Sequence, residues 1–317
     1  MRFKIAGMAV LAASLMGTAW AFPDRPVTLV VPFQAGGGVD AATRVLAAKL
    51  QTRWNQTVVV ENRPGATGAI GTEHVVRSTP DGHTLLVHAA ILVSTEITRP
   101  TVSYRTLRDL VPVSGLFTTP IVYVASAAAP AGDLKAVLAA ARTGQSLDYG
   151  SHGDGTSTNY IGEHIKRVAQ VEMVHVPFNG DNPILTALLG GHLKTGFLSG
   201  NNAKRAQDSG KARMLAVCSA RRSPLLPAVP TFAEAGIDNC DRDAWVKVFA
   251  PARTPPAVVE KLSRDVVAVL AQPDVREQFT QTGSVPDGST PEQALREVQR
   301  EYVWWVQTLR AFAAPVK

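Results

Sequence analysis

The chain has 317 residues, 45% of them apolar and 18% charged, with a formal net charge of +6. That length buries a sizeable core and commonly divides into two domains. The Lys and Arg residues are scattered, with no basic run interleaved with aromatics, so nucleic-acid binding gains no support.

Met1-Arg-Phe-Lys4 is a short positive stretch, Ile5 to Met16 is apolar, and Ala19-Trp20-Ala21 has the small-x-small form of a signal-peptidase site. The apolar run falls short of the about twenty residues a membrane span needs. The residue immediately after Ala21 is Phe22, not Cys, which argues against a lipoprotein. The expectation is an exported chain, cleaved after Ala21 and working in the periplasm. In that oxidising compartment Cys218 and Cys240 either pair or stay as separate thiols. The seven His residues show no metal-ligand spacing and there is no CxxC, so neither a metal nor a cofactor is expected.

After the leader, short β-branched runs alternate with amphipathic stretches, the signature of an α/β chain with largely parallel sheet. Strands are expected at Val27–Val31, Thr57–Val60, Thr84–His88 and Ile121–Ala125, with helices over Val39–Thr52, from Gly65 to about Ser78, and over Asp133–Arg142. The second half continues with strands at Leu147–Tyr149, Met173–Val176 and Met214–Cys218, and helices at Thr156–Ala169 and Pro183–Leu189. The tail reads as helices over Pro256–Ala271, Asp274–Thr282 and Pro291–Phe312, each opened by Pro or Asp.

An internal echo suggests two similar lobes. Thr28 to Phe33 ends Val-Val-Pro-Phe before a Gly-rich loop, and Met173 to Phe178 ends Val-His-Val-Pro-Phe before Asn179-Gly-Asp-Asn. The loops Val60–Gly65 and Tyr149–Gly153 are likewise rich in Gly and polar groups. A reversal of strand order in each lobe gathers such loops at one edge, where α/β proteins bind ligands.

Gly36-Gly37-Gly38 sits between a strand and a helix, whose first amides lack internal partners and suit a carboxylate; a plain tight turn is the competing reading. Ser151 to Ser157 either cradles an anion or caps the next helix. Neither is a nucleotide-binding fingerprint. Catalytic signatures such as GxSxG and HExxH are absent, although Ser151 beside His152 keeps a secreted α/β hydrolase as the alternative.

Several of these segments resemble the Bug-type receptors of tripartite tricarboxylate transporters: Val30–Asp40 with Arg44, Val59–Ala66, Pro80–Leu85, Tyr149–Ser151, Val174–Phe178, Leu188–Gly191, Leu215–Val217, Arg222–Thr231 and Pro251–Pro255. The resemblance spans essentially the whole mature chain. It implies a periplasmic binding protein type II-like fold, two α/β lobes joined by crossing hinge strands around one cleft. The expected division is 1–21 as signal peptide, 22–124 plus 246–317 as the first lobe and 125–245 as the second.

The resemblance also implies a monomeric receptor, not an enzyme, that binds a di- or tricarboxylate, an amino acid, or an aromatic acid or amide. It would serve a membrane permease or a sensor. The implied contacts are Phe33, Gly36, Gly37 and Asp40 on one lobe and Ser151, Gly153, Thr156 and Ser157 on the other. Asn179 and Asp181 would lie on a closing loop, with His88 at the same edge. His152, Asp154 and Asp181 stand where the family has small or neutral residues, and Lys247 where it keeps Gly. The acids repel an anion or receive an ammonium group; Lys247 narrows the cleft or supplies a cation.

Overall fold

The computed structural model describes residues 22–99, 101–178 and 180–313; the expected leader and Asn179 lie outside the described residues. The first half runs β1 (Val27–Val31), α1 (Gly38–Trp54), β2 (Val58–Asn62), α2 (Ala69–Val76), β3 (Thr84–Ala89), α3 (Ile91–Thr98), α4 (Thr106–Asp109) and β4 (Leu110–Thr119). Then come β5 (Ile121–Ser126), α5 (Leu134–Arg142), β6 (Leu147–Ser151), α6 (Ser157–Ala169), β7 (Met173–Pro177), α7 (Asp181–Leu189), β8 (Thr195–Ser199), α8 (Gly200–Asp208) and β9 (Ala212–Val217). The chain closes with β10 (Ala244–Pro251), α9 (Pro256–Leu270), α10 (Pro273–Gln281), β11 (Val285–Pro286) and α11 (Pro291–Ala313).

The strands form two sheets, ordered β11-β4-β10-β3-β1-β2 and β7-β6-β8-β5-β9. In each, a first strand (β1 or β6) lies between a second (β2 or β7) and a third (β3 or β8), all parallel. Beside the third comes an antiparallel strand from outside the unit, β10 in one sheet and β5 in the other. The strand order therefore reverses at β1 and at β6, and the loops leaving these strands lie at the two switch points.

The matching units are β1 with β6 and β2 with β7. The Val-Pro-Phe echo thus joins non-equivalent strands, the ends of β1 and β7. Proline has no N–H to extend a ladder, so a Pro-Phe pair can close a strand wherever that strand sits in its unit.

Passage between the sheets occurs at Pro120, between β4 and β5, and again between β9 and β10. Ile121–Ser126 pairs with Thr195–Ser199 of the second sheet. The first crossing thus precedes position 124, where the first lobe was expected to end.

Each sheet is covered by helices whose apolar faces pack on it. Leu46 and Leu50 of α1 and Leu262, Val266 and Val269 of α9 are buried in one cluster with Val27, Leu29 and Val31 of β1. Burying each such side chain is worth about 1.5–3 kcal/mol. The second sheet buries Val122, Val124 and Leu198 on one face against Ile184 and Leu188 of α7 and Ala203 and Ala206 of α8.

Candidate functional site

A cleft of about 770 Å³ is lined by parts of both sheets: the start of α1, the β3–α3 turn, the crossing strands, the loop before α6, and the tail helices.

On the first-sheet side the β1–α1 loop turns at Gly36, whose φ of +83° glycine adopts without steric cost. Asp40, in the first turn of α1, is buried. Its carboxylate accepts the Gly36 N–H at 2.8 Å, the Asn62 amide at 2.9 Å and Arg44 Nε at 2.9 Å. Burial alone would raise this carboxyl, but hydrogen bonds from Arg44, Gly36 and Asn62 outweigh it and hold the pKa at about 2. Gly38 and Val39 line the cleft, and a helix leaves its first amides without internal partners.

On the second-sheet side Thr156 caps α6 by accepting the Asn159 N–H. Its hydroxyl donates to the Gly153 carbonyl at 2.7 Å, which folds the preceding loop onto the cap. Thr156, Ser157 and His152 line the cleft, as does Asp181. Burial pushes Asp181 up, but donors from His152 at 3.3 Å and from the Ser199 amide and hydroxyl win and lower its pKa. Asn202 donates to the same carboxylate. This acid faces the cleft with its charge already met by neighbours.

The other candidates do not line the cleft. Phe33 packs edge-to-face on His88, ring centroids 5.1 Å apart. His88 is fully buried, its Nδ1 bonded to the Ala89 carbonyl at 2.9 Å and its Nε2 without a partner among the described residues. Burial, the dominant cause, lowers its pKa to about 4, so the ring is neutral at physiological pH. The turn that follows, Ala89 to Ile91, lines the cleft in its place. Gly36, Gly37 and Asp40 form the brace under the α1 start. Asp154 is largely exposed, 3.5 Å from His175 Nδ1.

Ser151 is wholly buried, its Oγ 2.7 Å from His175 Nε2 and accepting the Gly153 N–H at 3.1 Å. His152 turns instead to Asp181. The two neighbours in sequence form no nucleophile–base pair, and the serine that does meet an imidazole is not part of the cleft lining.

Lys247 does not line the cleft. It is fully buried on β10, with Asp287 at 3.1 Å and Glu297 at 2.5 Å. Such an ion triad ties the strand to the start of α11. Cys218 and Cys240 are both buried free thiols.

Sequence reasoning missed the apolar part of the cleft lining. Phe117, Ile121, Trp245, Phe279 and Trp305 supply its apolar surface. Glu301 of α11 organises it, accepting the Trp305 indole N–H at 2.9 Å and that of Trp245 at 3.4 Å. Arg242 lies over the Trp304 ring, 4.6 Å from its centroid, and 3.8 Å from Glu301. Beside it Asp243 lines the cleft, its pKa pushed up to about 7 by burial first and then by Asp241 and Glu297. The available signal was that three of the chain's five Trp fall at 245, 304 and 305.

Residues 42–310 match the family described as the tripartite tricarboxylate transporter family receptor. The UPF0065 protein of the tcbD-tcbE intergenic region of Pseudomonas sp. strain P51 is 39% identical, over 86% of this chain and 82% of its own. Among solved structures, Rpa4515 of R. palustris with adipate is 30% identical, covering 91% of this chain and 97% of its own, with a TM-score of 0.75. MatC of Rhodopseudomonas palustris with bound malate is 31% identical, covering 90% and 99%, with a TM-score of 0.73.

Proposed function

Because the chain belongs to the tripartite tricarboxylate transporter receptor family, we propose that it captures one small carboxylate between its two sheets, outside the cytoplasmic membrane, and does no chemistry on it. The observation that carries this reading is the convergence of two helix starts, α1 from one sheet and α6 from the other, on a single cleft. A carboxylate there meets unpartnered amides and the positive ends of two helix dipoles. The adipate and malate bound by the two structural relatives support the ligand class.

Two lobes, 22–119 with 244–313 and 120–243, follow the two sheets, and the crossing at Pro120 with the return before β10 is the hinge. Cleavage after Ala21 delivers the mature protein to the periplasm as a monomer. A permease or sensor receives the loaded form. Phe33, Gly36, Gly37, Asp40 and His88 shape the first-sheet side of the site and Ser151 and Gly153 the second, while Thr156, Ser157 and Asp181 meet the ligand or its water.

The hydrolase alternative has no support in the cleft lining, where His152, the one His among the described residues there, is engaged by Asp181. Thermal unfolding of the mature protein across a panel of carboxylates, amino acids and amides tests the reading. A ligand at a hundred times its Kd adds about 2.7 kcal/mol and a clear rise in Tm. No rise with any carboxylate contradicts it.

A further inference from the structure

The cleft lining combines three chemistries. The starts of α1 and α6 offer helix-start amides, suited to an anion. The crossing segments add Thr119, Ile121, Asp243 and Ala244. Phe117, Phe279, Trp245 and Trp305 make the rest aromatic.

A second carboxylate is poorly served beside the crossing segments. Among the described residues lining the cleft, Arg242 is the one Lys or Arg side chain. Its part-buried guanidinium lies 3.8 Å from Glu301 and over the face of Trp304, and its Nε, which has no partner among the described residues, is shut off from the cleft space. The acids around it are unequal. Asp181 is satisfied by Ser199, Asn202 and His152, and Glu301 by two indole N–H groups. Among the described residues Asp243 alone of these three acids has no hydrogen bond or ion pair. A part-buried carboxylate without a donor costs free energy that a ligand donor recovers on binding. Its raised pKa has the same origin, burial near Asp241 and Glu297.

Resting on the receptor reading above, we propose that the ligand is a carboxylate with an apolar body and a hydrogen-bond donor at its far end, an ammonium, amide or hydroxyl group, which Asp243 accepts. The carboxylate lies at the starts of α1 and α6, the body against Trp245 and Trp305, and the donor at the hinge. Binding of the far end then bridges the segments that cross between the sheets, so ligand chemistry and closure are coupled there.

Calorimetric titration of the mature protein with two matched sets tests this. One set is para-aminomethylbenzoate, para-methylbenzoate and terephthalate; the other is aminocaproate, hexanoate and adipate. In at least one set the donor-bearing member binds about tenfold or more tighter than both counterparts, the scale at which an unmet polar group discriminates. In Asp243→Ala that gap closes to about twofold. Asp243→Asn, which keeps the shape and one acceptor, narrows it, and serves if the Ala variant does not fold. A gap that survives both substitutions overturns the proposal. So does tighter binding of the dicarboxylates, which leaves the receptor reading standing. Silence of both sets and of malate overturns both.

Discussion

The Gly36 N–H donates to Asp40 Oδ2 at 2.8 Å, closing the β1–α1 loop on the first turn of its own helix. The buried carboxylate thus holds the loop that presents Gly38 and Val39 to the cleft. Asp40→Ala should destabilise the fold by about 1–3 kcal/mol and weaken ligand binding, since three donors lose their acceptor. Its depressed pKa fixes the pH sign. Stability from this group is present above the unfolded value near 3.8 and is lost as pH falls through about 2. Acid titration of the wild type and the variant by circular dichroism measures it; curves of identical shape below pH 4 would speak against the brace.

His88 works in a neighbouring window with a different cause. Its folded pKa of about 4 lies below the ordinary 6.5, so the unfolded chain takes up a proton the folded one refuses. Stability should decline as pH falls from about 6.5 towards 4, and His88→Phe should lose that slope. The ring is also tightly enclosed. A Cβ at Gly68, where φ is +90°, would stand 2.5 Å from His88 Nε2. Gly68→Ala is therefore expected to cost about 2 kcal/mol or more, read from chemical denaturation.

Asp243 has the opposite sign. Its folded pKa of about 7 exceeds the ordinary 3.8, so its penalty is absent below the unfolded value and fully present above about 7. Asp243→Asn should raise Tm of the unliganded protein at pH 8, by about 1–3 kcal/mol of stability, and have little effect at pH 4. An equal effect at both pH values would show that the carboxylate is not the strained group.

Lys247 is fully buried, and its charge is met by Asp287 and Glu297. Lys247→Ala should cost about 3–5 kcal/mol, because two acids are left facing each other. Lys247→Met combined with Asp287→Asn and Glu297→Gln should recover most of it. Urea unfolding of the two variants decides this; a triple variant as weak as the single one contradicts a charge-based role.

How much of this could be read from the sequence follows from local chemistry. β1 is legible because Val27 to Val31 is an uninterrupted β-branched run between turns, and α5 and α6 because Asp133 and Thr156 cap them. The antiparallel strands β4 and β10 were not. Pro112 and Gly115 punctuate β4, and its pairing with β10 shifts register twice, so neither strand shows unbroken alternation. Lys247 in mid-β10 reads as a solvated residue, and only its distant acids, 40 and 50 positions away, make its burial tolerable.

The same contrast holds for the cleft. Its glycine-rich loops are contiguous motifs, so the two helix starts were visible, although Asp40, Ser151 and His88 are not part of the lining. The aromatic wall is assembled from β4, β10, α10 and α11, four elements with no shared motif. Long-range contact, not local pattern, creates it.

The central claim is that one carboxylate bridges the starts of α1 and α6. A crystal structure of the mature protein grown with its tightest-binding carboxylate tests this most directly. The account predicts carboxylate oxygens within hydrogen-bond distance, about 3 Å, of amides at the α1 start and of the amide or hydroxyl of Ser157 or Thr156. A ligand held elsewhere, or held with its carboxylate away from both helix starts, would contradict it.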